Sequence, residues 1–337
     1  MATIGDVAKY AGVSRSTVSY ALSGNRPIKP ETRDRIQQAI QVLGFTANAG
    51  ARALATSKTW IMGLIVPFTP EEFAPATLGY VLGVSESARD LGYDVLLVTR
   101  KEGDSGIARI TESGLVDGVI LLDVKRHDDR IHSLRMARQP SVLIGIPEDE
   151  TSMDCVDLDF FAAGRMLVEH LHALGHRAVL FLTLPEQLFE QDLGYAWRFR
   201  EAVSRTSAQL GMTVHEVAGD SEPEARAREI GAALDRYPDV TALLAHNDGA
   251  LVDLPMVLQD RNLRVPQDLS VVSLFPERFG RMFSVPYTAI ETSATAVAER
   301  AVRLLAQRIE RPETPAIREL IAPVIIDRGS SALPRQP

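Results

Sequence analysis

The chain has 337 residues and a single cysteine, Cys155. One thiol cannot make an internal disulfide, which removes the stapled secreted scaffolds from consideration and fits a reducing compartment; Cys155 itself is expected to be a small buried hydrophobe. Aromatic residues make up only 6% of the chain. No apolar run approaches the ~20 residues that a membrane helix needs. No basic, then apolar, then small-residue leader stands at Met1, so a cytoplasmic protein without membrane contact is expected. No glycine-rich loop follows a strand pattern, so a nucleotide-phosphate cradle is not expected. His170, His172 and His176 suggest a metal set only superficially, because positions two apart on a helix face different sides and His176 lies beyond Gly175. No nucleophile, metal set or acid–base pair stands out, so an enzyme is the weakest of the three classes weighed, and no cofactor or metal is expected.

What is present is an uneven charge. Residues 1–58 hold eight of the 36 Lys/Arg and only three of the 44 Asp/Glu, so a head of net +5 precedes a body of net −13. The whole-chain value of −8 hides this. A small basic unit on an acidic one suggests a polyanion-binding module attached to something else.

Within the head, Ile4, Val7, Ala8 and Ala11 recur at helical spacing, and Gly12 breaks that helix. Ser14 is a good N-cap for a second helix, Arg15 to Leu22, with Val18, Ala21 and Leu22 as its apolar stripe and Arg15, Ser16, Ser19 and Tyr20 on the other side. Two short helices around a tight turn predict a helix-turn-helix. Pro30 opens a third helix whose buried face is Ile36, Ala39, Ile40 and Leu43, closed by Gly44. Three such helices would present Arg15 to Tyr20 to a major groove, with Thr17, Ser19 and Arg33 placed for phosphates. Next, Asn48 can cap a short Ala-rich helix, Ala49 to Ala55. It is too small and too poor in large apolar residues to be stable alone, so it is expected to form only against a partner.

From Thr59 the pattern alternates. Runs such as Ile61–Val66, Tyr93–Val98, Gly118–Leu122 and Ser141–Ile144 read as strands between helical stretches, and a second series follows with Ala178–Leu182, Met212–Glu216, Thr241–Ala245 and Leu269–Leu274. Strand–helix alternation predicts parallel, doubly wound α/β sheets. Two such units in series predict a two-lobed, cleft-binding body.

The ordered set Asp6-Val-Ala, Ala11-Gly-Val-Ser, Thr17-Val-Ser, Leu43-Gly-Phe, Asn48, Ala51-Arg-Ala-Leu54 and Gly63-Leu-Ile-Val-Pro67 resembles the LacI/GalR (lactose-repressor) family of bacterial transcription regulators, and matches continue through Val156–Asp159, Leu174-Gly-His-Arg177, Asn247-Asp248 and Leu269–Val272. The resemblance implies an α/β two-lobed core like that of periplasmic binding proteins behind a helix-turn-helix head. It also implies a division into 1–58 (head and hinge helix), 59–158 plus 287–319 (first lobe), 159–286 plus 320–330 (second lobe) and a flexible tail, 331–337. It implies a regulator, expected to be a repressor of a catabolic operon, that grips a palindromic operator as a homodimer. Arg15, Ser16, Thr17, Ser19, Tyr20 and Arg33 would lie on the duplex, with the hinge residues Asn48, Ala51, Arg52 and Leu54 in its minor groove, Leu54 as the wedge that opens a base step. With no leucine heptad after Asp327, a dimer is expected rather than a zipper-joined tetramer. The departures are informative. Lys29 stands where a Ser or Thr usually caps the third helix, and Tyr20 where Arg is frequent, so the operator is expected to differ from those of familiar members.

Ligands of open α/β lobes bind at the carboxyl ends of strands. That rule selects Phe68, Phe73, Asp123, Gly145, Asp159, Phe160, Asn247, Asp248, Phe275 and Glu277. The family's early-helix Arg corresponds to Tyr195 or to Phe199 depending on register, with Arg198 close to either, and its strand-end carboxylate is replaced by Phe275. Phe73, Asp123, Asp159, Phe160, Tyr195, Arg198, Asn247, Asp248 and Phe275 are therefore the expected effector residues. The more aromatic pocket suggests an oligosaccharide, glycoside or nucleoside rather than a simple monosaccharide. Inducer and co-repressor both remain open, as does a second class, a small-molecule transport receptor with an incidental head; the basic head and the hinge count against that class.

Overall fold

A computed structural model describes residues 2–23, 27–45, 58–67, 75–99, 103–148, 152–220, 222–275 and 285–335. The expected hinge helix with Asn48, Ala51, Arg52 and Leu54 lies outside the described residues, as do Phe68, Phe73 and Glu277.

The head consists of α1 (Ile4–Ala11), α2 (Arg15–Ser23) and α3 (Pro30–Leu43). Helix α1 starts with a reciprocal cap: Asp6 N–H donates to Thr3 Oγ1, and Thr3 N–H donates to Asp6 Oδ2 at 2.8 Å. The bonds from Thr3 hold the Asp6 carboxyl below its ordinary range. Gly12 ends the helix at φ +63°, a conformation that a Cβ would strain. Ser14 Oγ then accepts from Thr17 N–H and starts α2. Val7, Ala8, Ala11, Val18, Ile36 and Ala39 form the buried centre, flanked by Ile4, Leu22, Ile40 and Leu43. Lys29 occupies the N-cap of α3 without a side-chain bond, so the missing Ser or Thr has no substitute.

The body holds two six-stranded sheets. The first contains β1 (Ile61–Ile65), β2 (Asp94–Val98), β3 (Gly118–Leu121), β4 (Ser141–Ile144), β5 (Asp154–Leu158) and β11 (Arg318–Ile321), in the order β11-β5-β4-β3-β1-β2, all parallel. Its connecting helices are α4 (Pro75–Asp90), α5 (Gly103–Glu112) and α6 (Arg130–Met136). The second contains β6 (Ala178–Thr183), β7 (Thr213–Ala218), β8 (Ala242–Ala245), β9 (Ser270–Phe275), β10 (Thr288–Glu291) and β12 (Ile325–Ile326), in the order β12-β10-β9-β8-β6-β7, with only β12 antiparallel. Around it run α7 (Phe160–Ala173), α8 (Glu186–Glu190), α9 (Gly194–Gln209), α10 (Pro223–Arg236) and α11 (Asp248–Asp260). Central strands such as β3, β4, β6 and β8 are buried at every position, as expected of strands covered by helices on both faces. Among the described residues no helix is long and apolar enough to cross a membrane. Cys155 is buried in the first sheet, where desolvation pushes its thiol up to about 12, so it is inert as expected.

Helix α12 (Ala294–Glu310) returns to the first lobe, where it packs on α4 and contributes Val297, Ala301, Val302 and Leu305 to the first core. The strand pairing corrects the expected division in two places. β10 pairs with β9 in register Thr288↔Val272, so it belongs to the second sheet, and the return to the first lobe begins after Glu291 rather than at residue 287. β11 pairs with β5 through Ile321↔Leu158, so the first lobe extends past residue 319. Among the described residues the lobes are therefore joined by three crossovers, after Leu158, after Glu291 and after Ile321.

The expected flexible tail is also corrected. The segment before residue 336 is strapped along the second lobe. Ser330, nearly fully buried, donates its hydroxyl to the Val271 carbonyl oxygen at 2.6 Å, and His176 Nε2 donates to the Ala332 carbonyl oxygen at 3.0 Å. His170 Nε2 meets Ser331 Oγ at 2.8 Å, and Arg335 pairs with Asp268. The strap explains two of the three histidines that resembled a metal set; among the described residues no group of His, Cys, Asp or Glu could hold a metal ion.

Candidate functional site

In both sheets the strand order reverses beside the first strand of the unit, β2-β1-β3 in one and β7-β6-β8 in the other. The carboxyl ends of strands at such points make the crevice of an open α/β sheet. The two crevices face each other, and the space between them is a cleft of about 360 Å³. Its first-lobe wall is Ala76, Thr77 and Tyr80 on α4, Leu122 to Val124 after β3, Ile144 and Gly145 at the end of β4, and Asp157 on β5. Its second-lobe wall is Phe160, the Leu184 to Gln191 segment with Gln187, Tyr195 and Arg198 on α9, Arg226 on α10, and His246 to Gly249 after β8. Thr292, on the second crossover, also lines the cleft.

Of the expected effector residues, Asp123, Phe160, Tyr195, Arg198, Asn247 and Asp248 line this cleft. Asp159 does not; its Oδ1 accepts from Ala162 N–H at 2.8 Å and caps α7. Phe275 is not in the wall either. Successive strand residues point to opposite faces, so Leu274 faces the cleft and Phe275 packs with Leu182, Leu254 and Tyr287 in the core beneath α10 and α11. Of the two candidates on α9, Tyr195 lines the cleft and Phe199 is fully buried.

Several wall residues escaped sequence reasoning: Tyr80, Asp157, Gln187, Gln191, Arg226, His246 and Thr292. Asp157 had a signal, since a carboxylate inside a strand buried at all five positions demands a partner. That partner is Arg198, whose Nη2 donates to Asp157 Oδ2 at 2.6 Å. Burial outweighs the guanidinium's pull and raises the Asp157 carboxyl to about 6. Arg226 is committed as well: its Nε donates to Asp253 Oδ2 at 2.7 Å and its Nη1 to the Asp220 carbonyl oxygen. His246 is enclosed by Phe160, Phe199 and Tyr195, its ring 4.3 Å from that of Phe199. Burial pushes it down to about 3, so the ring is neutral at ordinary pH. Burial, aided by Asp157 and Asp123, likewise holds the Tyr80 hydroxyl protonated. Asn247 Nδ2 donates to the Thr183 carbonyl oxygen while its Oδ1 caps α11, which fixes the amide.

The wall thus offers aromatic and apolar faces from Phe160, Tyr195, Leu188 and Leu274. Amides and carboxylates are interspersed, and both guanidiniums have carboxylate partners. Gly145 makes the close approach of β4 to β3 possible: at φ +128° any Cβ is strained, and one built there would lie 2.6 Å from Val124 Cβ. Gly145→Ala is expected to cost about 1–3 kcal/mol of stability; an unchanged melting temperature would contradict this.

In the head, Arg15, Ser16 and Tyr20 are exposed on α2 and Arg33 is exposed on α3. Thr17 and Ser19 are half-buried, and Thr17 Oγ1 shares a 2.8 Å hydrogen bond with Ser14 Oγ. The outer face of α2 therefore carries one cation, hydroxyls and a phenol ring, the groups that reach base edges and phosphates.

Comparison with known proteins agrees with both halves. The family described as "Bacterial regulatory proteins, lacI family" matches residues 3–48, and the "Periplasmic binding protein-like domain" matches residues 168–331. The chain is 31% identical over 342 residues to the HTH-type transcriptional regulator CelR of Thermobifida fusca, covering 97% of this chain and 98% of the relative. It is 26% identical over 335 residues to the ribose operon repressor of Escherichia coli (strain K12), covering 98% and 100%. Among solved structures it is similar to a CelR–cellobiose complex, with TM-score 0.70 and 27% identity over 98% of this chain and 100% of the other. The lac repressor dimer bound to operator and the anti-inducer ONPF shares the fold, with TM-score 0.81 and 21% identity over 98% and 99%.

Proposed function

The chain belongs to the LacI family of bacterial regulatory proteins, and from that premise we propose that its cleft takes a neutral sugar, glycoside or nucleoside whose binding controls the grip of the head on its operator. The protein is a DNA-binding transcriptional regulator; repression of a catabolic operon is the finer reading. The observation that carries this reading is the composition of the cleft wall. Ring faces suit the C–H surface of a sugar, amides and carboxylates suit its hydroxyls, and guanidiniums already bonded to carboxylates leave little to attract a phosphate. The similarity to a CelR–cellobiose complex supports a ligand of this class.

On the DNA side, Arg15 reads guanine, Ser16 and Tyr20 touch neighbouring base edges, and Thr17, Ser19 and Arg33 hold phosphates. The hinge residues Asn48, Ala51, Arg52 and Leu54 enter the minor groove as a pair, so the operator is a palindrome and the regulator a homodimer. A ligand shifts this binding only through its differential affinity for two lobe arrangements.

The test is selection of a palindromic duplex from a randomised library with the full-length protein. Fluorescence anisotropy then follows at several salt concentrations, with and without cellobiose, ribose and adenosine. If at least six phosphates are neutralised, affinity is expected to fall by roughly 10³-fold or more between 50 and 200 mM salt, and one of the probes is expected to change it at least fivefold. No preference for any palindrome at moderate ionic strength, with every probe, would overturn the reading.

A further inference from the structure

The cleft wall contains an ion pair that crosses from one lobe to the other. Asp157 belongs to β5 of the first sheet and Arg198 to α9 of the second lobe. Besides its bond to Asp157, Arg198 donates through Nη1 to the Ile146 carbonyl oxygen at 2.7 Å, so one side chain of the second lobe holds two oxygens of the first. The Asp157 side chain is 4% exposed and that of Arg198 24%. The Nε of Arg198 is shut off from solvent without a hydrogen-bond partner. The same end of α9 docks along a second seam nearer the rim. Gly194 N–H donates to the Val124 carbonyl oxygen at 3.1 Å, Arg126 Nε donates to Asp192 Oδ1 at 2.6 Å, and the Arg126 guanidinium lies over the Trp197 ring.

We propose that the Arg198–Asp157 pair is a releasable clamp that sets the resting balance between closed and open arrangements of the lobes. The proposal deepens, and rests on, the assignment of this cleft as the effector site. Closing the lobes strips water from a carboxylate and a guanidinium, and their attraction in the dry cleft roughly repays that loss. An apolar contact of the same size would hold the lobes shut without such a cost. A buried pair instead keeps closed and open states close in free energy, which is the condition for a ligand of modest differential affinity to shift them. Removing one partner leaves the other charge buried and alone when the lobes close, so the open state gains. Removing both restores an apolar contact, so the closed state gains.

The test uses the full-length protein with spin labels at Met136→Cys and Glu190→Cys, exposed positions on α6 and α8. Labelled chains are diluted with unlabelled ones so that distances within one chain dominate, and Cys155, buried and with its thiol pushed up to about 12, does not react. Without any small molecule, the parent is expected to give a short interlobe distance. Asp157→Asn and Arg198→Gln should each shift the closed-to-open ratio at least tenfold toward open, and the double change D157L/R198M should remain closed. A single variant that loses its cooperative melt is replaced by Arg198→Lys, which keeps the charge but cannot fork to both oxygens and should open partway. Unchanged distances in the folded single variants, or a double variant that opens as they do, would overturn the clamp. A cellobiose, ribose and adenosine titration of the parent separates the two readings. If no probe moves the parent distance yet the single variants open, the effector assignment fails and the clamp stands.

Discussion

Asp154→Ala is expected to be among the most destabilising single changes in the body, lowering the melting temperature of the first lobe by on the order of 10 °C. Asp154 opens β5 and is 2% exposed. It accepts a two-pronged bond from Arg308 on α12, at 2.9 and 2.8 Å, and a third bond from Ile317 N–H at 2.8 Å. Arg308 in turn donates to the carbonyl oxygens of Pro312, Thr314 and Pro315. One carboxylate therefore ties the end of α12, the loop that follows it and the start of β11 to the first sheet. Alanine would leave a guanidinium with 14% exposure and no counter-charge, and an Ile317 N–H without an acceptor. Breaking a buried pair from one side costs about 3–5 kcal/mol, whereas replacing both partners with apolar residues of similar volume is often neutral. Calorimetry of D154A beside D154L/R308M checks this. The single variant should melt on the order of 10 °C lower and the double should recover much of that loss; equal losses would show that the pair is not what holds the return segment.

Strands such as Gly118–Leu121 and Ala178–Thr183 were legible because a strand covered on both faces is apolar throughout, and that run is visible without a structure. The three-helix head was legible because Gly12, Ser14, Pro30 and Gly44 punctuate it. The lobe to which β10 belongs was not, since Thr-Ala-Ile-Glu suits either sheet and only its pairing with β9 decides. Residues 331–337 were expected to be a flexible tail, yet Ser331 Oγ meets His170 Nε2 and the Ala332 carbonyl oxygen accepts from His176 Nε2. In the cleft, strand ends found Asp123, Asn247 and Asp248, but the same rule counted one residue too far at Phe275 and passed over His246, the first residue after β8. Tyr80 and Arg226 were hidden because helix residues reach a cleft by the rotation of their helix, which periodicity alone does not orient.

His246 also carries the second large expectation: stability falls as pH drops from about 6.5 toward 3. The unfolded chain protonates this histidine near 6.5, while the folded chain, with the ring buried among Phe160, Tyr195 and Phe199, protonates it only at about 3. Between those values the unfolded state binds more protons, so stability is complete above the unfolded value and is lost progressively below it, levelling only near the folded value. A difference of this size corresponds to about 5 kcal/mol at the bottom of the window. His170 and His176 act in the same direction, because burial lowers both. Asp157 opposes them: its folded value of about 6 lies above the ordinary 3.8, so the fold gains from its protonation as pH falls through that interval. Asp268, held down to about 2 by Arg264, contributes only at the acid end, below 3.8. Denaturant melts between pH 4 and 7.5 isolate the terms. His246→Phe keeps a ring in the aromatic group and should flatten the slope, whereas Asp157→Asn should steepen it below pH 6. Parallel profiles for the parent and H246F would mean that the buried imidazole is not the group that makes the fold acid-sensitive.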